Sequence, residues 1–223
     1  MSIPSQAPVV RRFAAVLGAA AATAALVASA PSAGAAPAAS CAAAAPGTPN
    51  GKQWLLEPPL SLAPTATYSA TLDTTCGTID LALDAAAAPR TVNSFAFLAG
   101  EGYFDHTRCH RLTTEGIYVL QCGDPTASGR GGPGYRFPDE NLAGATYPAG
   151  TVAMANAGPG TNGSQFFLVY RDSRLPPNYT PFGRVTAGLD VLTGVAAAGV
   201  AGGGGDGTPA AEVVLNRVTA APA

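Results

Sequence analysis

The chain has 223 residues and a formal net charge of −2, which leaves room for one domain and a tail. Only 12% of its residues are charged, and no basic run is interleaved with aromatic residues, so the composition argues against a nucleic-acid-binding protein. Alanine, glycine and proline are abundant, which we attribute to coding bias.

Residues 1–35 are typical of a targeting segment rather than of a folded one. Two arginines precede an apolar stretch, residues 13–30, and a candidate cleavage site of small residues ends at Ala35. Three interpretations stay open: a cleaved secretory signal, an uncleaved membrane anchor, or a lipid on Cys41, which follows a sequence loosely similar to a bacterial lipobox. Each predicts an exported, extracytoplasmic protein, secreted or attached to the outer face of the cell membrane.

Residues 36–66 are rich in alanine, proline, serine and threonine, and this composition predicts a linker before a domain at residues 67–223. Trp54 interrupts the linker and is a candidate for packing onto that domain. No internal repeat is evident in the sequence, and a monomer is the default expectation.

Alternating apolar residues over 68–83 predict a β-hairpin that turns at residues 74–77. Pro89 is placed to open a helix and Gly100 to end it. Further strands are expected at 108–112, 118–121, 152–155, 166–170 and 212–218, with a second helix at 189–198. Many short strands and two helices predict a mainly β protein, a closed antiparallel barrel capped at its ends. Side chains fill a barrel this small, so its binding site must lie outside.

Four cysteines suit an oxidising compartment. They allow three pairings, and we favour Cys109 with Cys122, because these flank a segment that should fold back as two antiparallel strands. Buried free thiols are the alternative. A catalytic thiol is not expected, since only His106 and His110 could activate one.

The run at residues 154–166 (MANAGPGTNGSQF) follows no single periodicity, because it opens like a strand, breaks into a loop and ends in aromatic residues. Its glycines permit backbone angles that other residues avoid, and its amide side chains supply hydrogen-bond donors and acceptors. These amides are Asn156, Asn162 and Gln165. Such a loop can present polar groups to a peptide while an aromatic ring forms a pocket wall; a decorated hairpin turn is the alternative.

Three further motifs accompany this run, at residues 110–124 (HRLTTEGIYVLQCGD), 129–140 (GRGGPGYRFPDE) and 180–185 (TPFGRV). Together and in this order they resemble the cyclophilins, the peptidyl-prolyl cis-trans isomerases, over roughly residues 67–219. The resemblance implies an eight-stranded cyclophilin-like barrel with its active groove on the outer surface. It also implies an exported bacterial protein, similar to actinobacterial members, that acts on proline-containing polypeptides.

Catalysis of this kind needs little chemistry. Rotation about an X-Pro amide faces a barrier of about 20 kcal/mol because resonance stiffens the C–N bond. No bond breaks, so no nucleophile, metal or cofactor is expected. The catalyst must hold the proline ring and favour the twisted amide over either planar form.

Within the resemblance, Arg111 is the expected decisive group, since a guanidinium donor can stabilise the lone pair on a twisted prolyl nitrogen. From the residues alone, a surface salt bridge is its alternative. Gln121 is expected to hold the carbonyl that precedes the proline, and Phe167 to form the pocket wall, with Phe166 turned inward to the core. The remaining expected substrate contacts are Tyr118, Val119 and Leu175 in the pocket, Tyr179 at its rim, and Ala155, Asn156, Ala157 and Gln165 along the groove.

Three features depart from the family pattern. The loop at residues 113–116 makes the connection from Arg111 to Gln121 two residues longer. The groove tryptophan is missing, with Arg174 or Leu175 in its place, which predicts weak inhibition by cyclosporin. A tyrosine, residue 179, stands where a histidine is common. The leading hypothesis is an exported isomerase, and the alternative is a non-catalytic proline-peptide binding or chaperone-like scaffold domain.

Overall fold

The computed structural model describes residues 38, 40–63 and 65–223 of the chain. The expectations of a signal, an anchor and a cleavage site in residues 1–35 lie outside the described residues. Within the described ranges, no helix combines the length and the apolar character needed to cross a membrane.

Ten strands and two helices make up the regular structure of the described part of the chain. The strands are β1 (Tyr68–Thr74), β2 (Gly77–Leu83), β3 (Thr107–Arg108), β4 (Arg111–Thr113), β5 (Val119–Cys122), β6 (Thr151–Met154), β7 (Phe166–Val169), β8 (Pro181–Ala187), β9 (Asp206–Gly207) and β10 (Val214–Pro222). The helices are α1 (Pro89–Gly100) and α2 (Leu189–Ala198), and both confirm the sequence-based expectation. Strands β8 and β9 were not expected from the sequence.

The first hairpin forms as expected, with β1 and β2 in continuous antiparallel register. The Thr74 hydroxyl donates to the carbonyl of Gly77 at 2.6 Å and accepts from the Cys76 N–H at 3.1 Å, which closes the turn. Gly77 has a φ of 132°, a conformation that suits glycine best. The apolar residues alternate along both strands, so they are buried on one face of the hairpin.

Helix α1 begins at Pro89, whose missing N–H costs nothing in a first turn. The next two backbone N–H groups, of Arg90 and Thr91, donate to the carboxylate of Glu140 at 3.1 and 2.8 Å. A negative charge at a helix N-terminus satisfies groups that have no partner inside the helix. Glu140, the last residue of the motif at residues 129–140, thus binds the N-terminus of α1.

The strands form one antiparallel sheet in the order β3-β10-β1-β2-β8-β6-β7-β5-β4-β9. The expectation of a closed barrel of eight strands is therefore wrong in detail, although the mainly β architecture with two helices is confirmed. The strand expected at residues 108–112 is split, because the chain changes partners there: β3 pairs with β10, whereas β4 pairs with β5 and β9. The two-residue β9 supplies the other extra strand.

Two apolar clusters form on opposite sides of β7. Phe166 is fully buried in the main core, between the sheet and α1, where it packs against Phe95 and Phe104. Phe167 belongs to a second, smaller cluster on the other face. This alternation confirms the expectation that Phe166 is a core residue.

Two disulfides join the four cysteines. Cys109 pairs with Cys122, as expected, and Cys41 pairs with Cys76 in the turn of the first hairpin. The second bond corrects the expectation of a lipid on Cys41, because one sulfur cannot form both a disulfide and a thioether.

Residues 40–63, which we call the strap, have no helix or strand but pack against the sheet and α1. The Trp54 ring lies edge-on to Phe97 at 5.1 Å and beside Tyr103 at 5.8 Å, between centroids. The backbone N–H of Trp54 donates to the carbonyl of Pro133 at 2.8 Å. The strap belongs to the same compact unit as residues 67–223. The domain boundary at residue 66 stays a prediction.

Candidate active site

Arg111, Gln121 and Phe167 lie directly opposite one another on three neighbouring strands. Arg111 of β4 pairs with Gln121 of β5, which pairs with Phe167 of β7. Side chains at paired positions project from the same face of a sheet. The three residues expected to act on the substrate are therefore brought into one row on the outer surface.

The guanidinium of Arg111 is held from two sides. Its Nη1 donates to Oε1 of Gln121 at 3.3 Å, while Nε and Nη2 donate to the two carboxylate oxygens of Asp206 at 2.8 and 2.7 Å. These bonds from Arg111 hold the pKa of Asp206 below its ordinary value and raise the pKa of Arg111. A salt bridge was the alternative role expected for Arg111. It is present, and its partner Asp206 lies at the same site.

Phe167 belongs to an apolar cluster beside this row. The buried members of its cluster are Val119, Tyr147, Ala153, Phe167 and Val169, and Ile117, Ala145, Ala155, Leu175 and Tyr179 pack at the edge. The Tyr179 ring stands edge-on to Phe167 with centroids 5.6 Å apart. Val119, Leu175 and Tyr179 are thus grouped with Phe167, as the resemblance implies.

Tyr118 lies elsewhere, and its expected place in the pocket is wrong. Its ring packs against the main core and Tyr170, and the guanidinium carbon of Arg171 lies 3.3 Å from the ring centroid. Successive residues of an extended chain point to opposite faces, so Tyr118 and Val119 cannot both face Phe167. Ile117, on the other side of Tyr118, packs against the Phe167 cluster.

Tyr147 holds Tyr179 at the edge of this cluster, and the sequence motifs do not identify it. Its hydroxyl donates to the carbonyl of Tyr179 at 2.8 Å and accepts from the N–H of the same residue at 3.1 Å. Burial raises the pKa of Tyr147, so the hydroxyl remains a donor. No local pattern marks this tyrosine, since its partner lies 32 residues away.

Amide side chains extend the row into a groove. Nε2 of Gln121 donates to Oε1 of Gln165 at 2.8 Å, and Nε2 of Gln165 donates to the carbonyl of Gly131 at 2.9 Å. Both glutamines line a cavity of about 480 Å³, together with Ala155, Asn156, Ala157, Gln53 of the strap and residues 129–136. The Asn156 side chain donates to the carbonyl of Asn178 at 2.7 Å, which ties the groove to the segment before Tyr179.

Asp124 anchors the loop that forms one wall of this cavity. Its fully buried carboxylate accepts from the backbone N–H groups of Thr126, Ser128 and Gly131 at 2.7, 3.0 and 3.1 Å. Burial opposes its ionisation, but hydrogen bonds from Thr126 and from the backbone of Gly131 outweigh burial and hold its pKa below the ordinary value. Burial lowers the pKa of neighbouring His110.

The side chains at the site are those of a binding and positioning surface. Among the residues that the structure describes, no group of three histidine, cysteine, aspartate or glutamate side chains is placed to hold a metal ion. The arrangement offers one guanidinium, an apolar cluster, and a line of amides that can pair with a peptide backbone.

Comparisons with known proteins agree with this geometry. The family model described as "Cyclophilin type peptidyl-prolyl cis-trans isomerase/CLD" matches residues 69–220. A probable peptidyl-prolyl cis-trans isomerase B of Mycobacterium leprae is 52% identical over 167 residues, which are 69% of this chain and 57% of that protein. A human peptidyl-prolyl cis-trans isomerase-like 1 is 42% identical over 143 residues, 62% of this chain and 83% of that protein. The chain thus spans little more than half the length of its mycobacterial relatives.

A solved structure shares the fold. The crystal structure of a cyclophilin type peptidyl-prolyl cis-trans isomerase of Cryptosporidium parvum superposes with a TM-score of 0.62 at 27% identity, covering 70% of this chain and 99% of that one. A second crystal structure of that protein, obtained in the presence of the dipeptide Ala-Pro, gives a TM-score of 0.61. The chain therefore belongs to the cyclophilin-type peptidyl-prolyl cis-trans isomerase family.

Proposed function

We propose that this protein is a peptidyl-prolyl cis-trans isomerase that accelerates X-Pro rotation in exported polypeptides. The observation that carries the proposal is the row of Arg111, Gln121 and Phe167 across three paired strands. This row sets a guanidinium beside an apolar cluster, and a rotating prolyl amide needs both a hydrogen-bond donor and an apolar surface. Membership of the family and the Cryptosporidium structure obtained with Ala-Pro support proline-containing peptides as substrates.

Arg111 supplies the catalytic interaction in this proposal. Twisting the amide breaks its resonance and returns a lone pair to the prolyl nitrogen. A guanidinium N–H stabilises that lone pair in the transition state and not in either planar form, so the interaction accelerates rotation. One preorganised donor of this kind contributes about 3–4 kcal/mol, or two to three powers of ten in rate. The reaction needs no covalent intermediate.

The neighbours of Arg111 bind the peptide. Phe167, Val119 and Leu175 hold the proline ring and exclude water from it. One hydrogen of the Gln121 amide bonds to Gln165, which leaves the second hydrogen for the substrate carbonyl before the proline.

A protease-coupled assay on a proline-containing peptide tests the proposal. We expect Arg111→Ala to lower kcat/KM by about two to three powers of ten. Arg108→Ala is the matched control, because Arg108 also pairs with an exposed carboxylate, that of Glu212 at 2.8 Å, but lies on β3. Unchanged activity in Arg111→Ala would remove the mechanism. Tight peptide binding by a wild-type protein without turnover would favour the binding or scaffold alternative.

Export is also a proposal. Two disulfides among the described residues support it, because such bonds persist in oxidising compartments. Mass spectrometry of the mature N-terminus distinguishes a cleaved signal from a retained membrane anchor, and an intact start at Met1 in a cytosolic fraction would contradict export. Weak inhibition by cyclosporin stays a prediction. The single tryptophan, Trp54, packs against Phe97 and does not replace the missing groove tryptophan.

A further inference from the structure

Asp206 holds the guanidinium that the proposed reaction uses. Three of the five N–H donors of Arg111 are engaged in the structure, two by Asp206 and one by Gln121. Two donors therefore remain for a substrate, and both lie on the Nη atoms. An arginine side chain is flexible, so this two-sided restraint decides in which plane those free donors point.

The pairing of β9 with β4 fixes the position of Asp206. Strand β9 pairs with β4, with Asp206 opposite Thr113, so the carboxylate lies beside the side chain two residues away. The Thr114 N–H donates to the carbonyl of Gly205 at 2.8 Å. A Cβ at Gly205 would come within 2.7 Å of the Glu115 carboxyl carbon, so the two segments are in close contact.

The longer loop at residues 113–116 thereby gains an explanation. Its residues supply the edge on which β9 pairs, and β9 in turn presents Asp206 to Arg111. The glycine run at residues 202–205 precedes Asp206 directly. Two separate sequence features, the loop at residues 113–116 and the glycine run at residues 202–205, therefore act on the same guanidinium.

The pair contributes orientation more than stability. The side chains of Arg111 and Asp206 are 39% and 55% exposed, and ion pairs this exposed contribute little to folding. We propose that Asp206 is a positioning residue that aims the free donors of Arg111 at the prolyl nitrogen. This inference rests on the proposed isomerase function.

A double-mutant cycle tests the inference. In the wild-type background, Asp206→Ala is expected to lower kcat/KM about tenfold, mainly through kcat, since misplaced groups lose rate more than affinity. In an Arg111→Ala background it should change nothing further. Asp206→Glu should restore part of the loss. The matched control is Glu212→Ala, which removes the exposed carboxylate partner of Arg108 and should leave activity unchanged.

Two outcomes overturn the role of Asp206 while leaving the isomerase proposal intact. One is an Asp206→Ala variant within twofold of the wild type; the other is an equal loss with and without Arg111. An inactive wild-type protein, beside an active reference cyclophilin, would instead overturn the proposed function. The ¹⁵N–¹H signal of the Arg111 Nε group gives a readout without turnover: slow hydrogen exchange should be lost in Asp206→Ala and kept in Glu212→Ala. Equal exchange in both variants would show that Asp206 does not hold the guanidinium.

Discussion

Two regions of the molecule border the same cavity but are held in place by different forces. The sheet side, β4, β5 and β7, places Gln121 and its neighbours by backbone pairing. The strap is held at separate points: Nε2 of Gln53 donates to the carbonyl of Gly132 at 2.7 Å, the backbone N–H of Trp54 donates to the carbonyl of Pro133, and Cys41 forms a disulfide. Backbone pairing fixes every residue of a strand, whereas the strap is fixed at a few points. Changes to the sheet side should therefore affect the whole fold, and changes to the strap only one region.

The largest effect is expected from Phe166→Ala on the sheet side. Phe166 is fully buried among Phe95 and Phe104, and truncating such a side chain costs about 3–5 kcal/mol in the free energy of unfolding. Urea unfolding followed by circular dichroism measures the loss. Leu60→Ala on the strap, 57% exposed, is the control and should stay within about 0.5 kcal/mol of the wild type. A small loss in Phe166→Ala would mean that the core does not depend on this ring.

Removing the strap disulfide should have the next largest effect. The Cys41–Cys76 bond closes a separation of 35 residues, against 13 for Cys109–Cys122, so chain entropy gives at most about 4 and about 3 kcal/mol respectively. A Cys41→Ser, Cys76→Ser double variant should lose less than this limit, because the strap can detach while the sheet stays folded.

Limited proteolysis with mass spectrometry checks this prediction. Cleavage within residues 40–63 should speed up in the double variant, while amide exchange in β5 and β7 stays at the wild-type rate. Faster exchange throughout the sheet would show instead that the strap and the sheet unfold together.

Trp54→Ala should have a smaller effect in the same region. The indole packs against Phe97 and Tyr103 but is only partly buried, so we expect a loss of about 2 kcal/mol, below the range for a fully buried tryptophan. The Trp54 backbone bond to Pro133 remains. Fluorescence is a direct measurement of docking in the wild type, because Trp54 is the single tryptophan. An emission maximum typical of a fully solvated indole would contradict the docked strap.

The contrast between the sheet side and the strap also explains which parts of the fold the sequence could predict. Strands β1 and β2 carry a period of two in their sequences, so their buried faces follow from that alternation. In β7 every residue is apolar, and the opposite directions of Phe166 and Phe167 follow from strand geometry alone. The strap has no period, and its composition indicated a linker. Only the isolated Trp54 indicated packing onto the domain, and its ring does pack against Phe97 and Tyr103.

The site shows the same limit. The family motifs identified Arg111, Gln121 and Phe167, and the strand register places these residues opposite one another. Asp206 and Tyr147 escaped notice because each acts on a residue distant in sequence. Tyr118 was misplaced because counting along the motif ignored the alternation of an extended chain, which turns Tyr118 and Val119 to opposite faces.

The smallest effect on stability is expected from lowering the pH, which should weaken the sheet side of the fold first. His110 and Asp124, both on the sheet side, have pKa values lowered by folding, so the unfolded chain binds more protons than the folded one. Stability from His110 should be complete above its unfolded pKa of about 6.5 and decline as pH falls below it, and stability from Asp124 should decline below about 3.9. Urea midpoints between pH 8 and 3 measure both steps, and His110→Gln should abolish the first and keep the second. A first step that survives this substitution would have to come from another group, and the sheet side would then not be the part of the fold that acid weakens first.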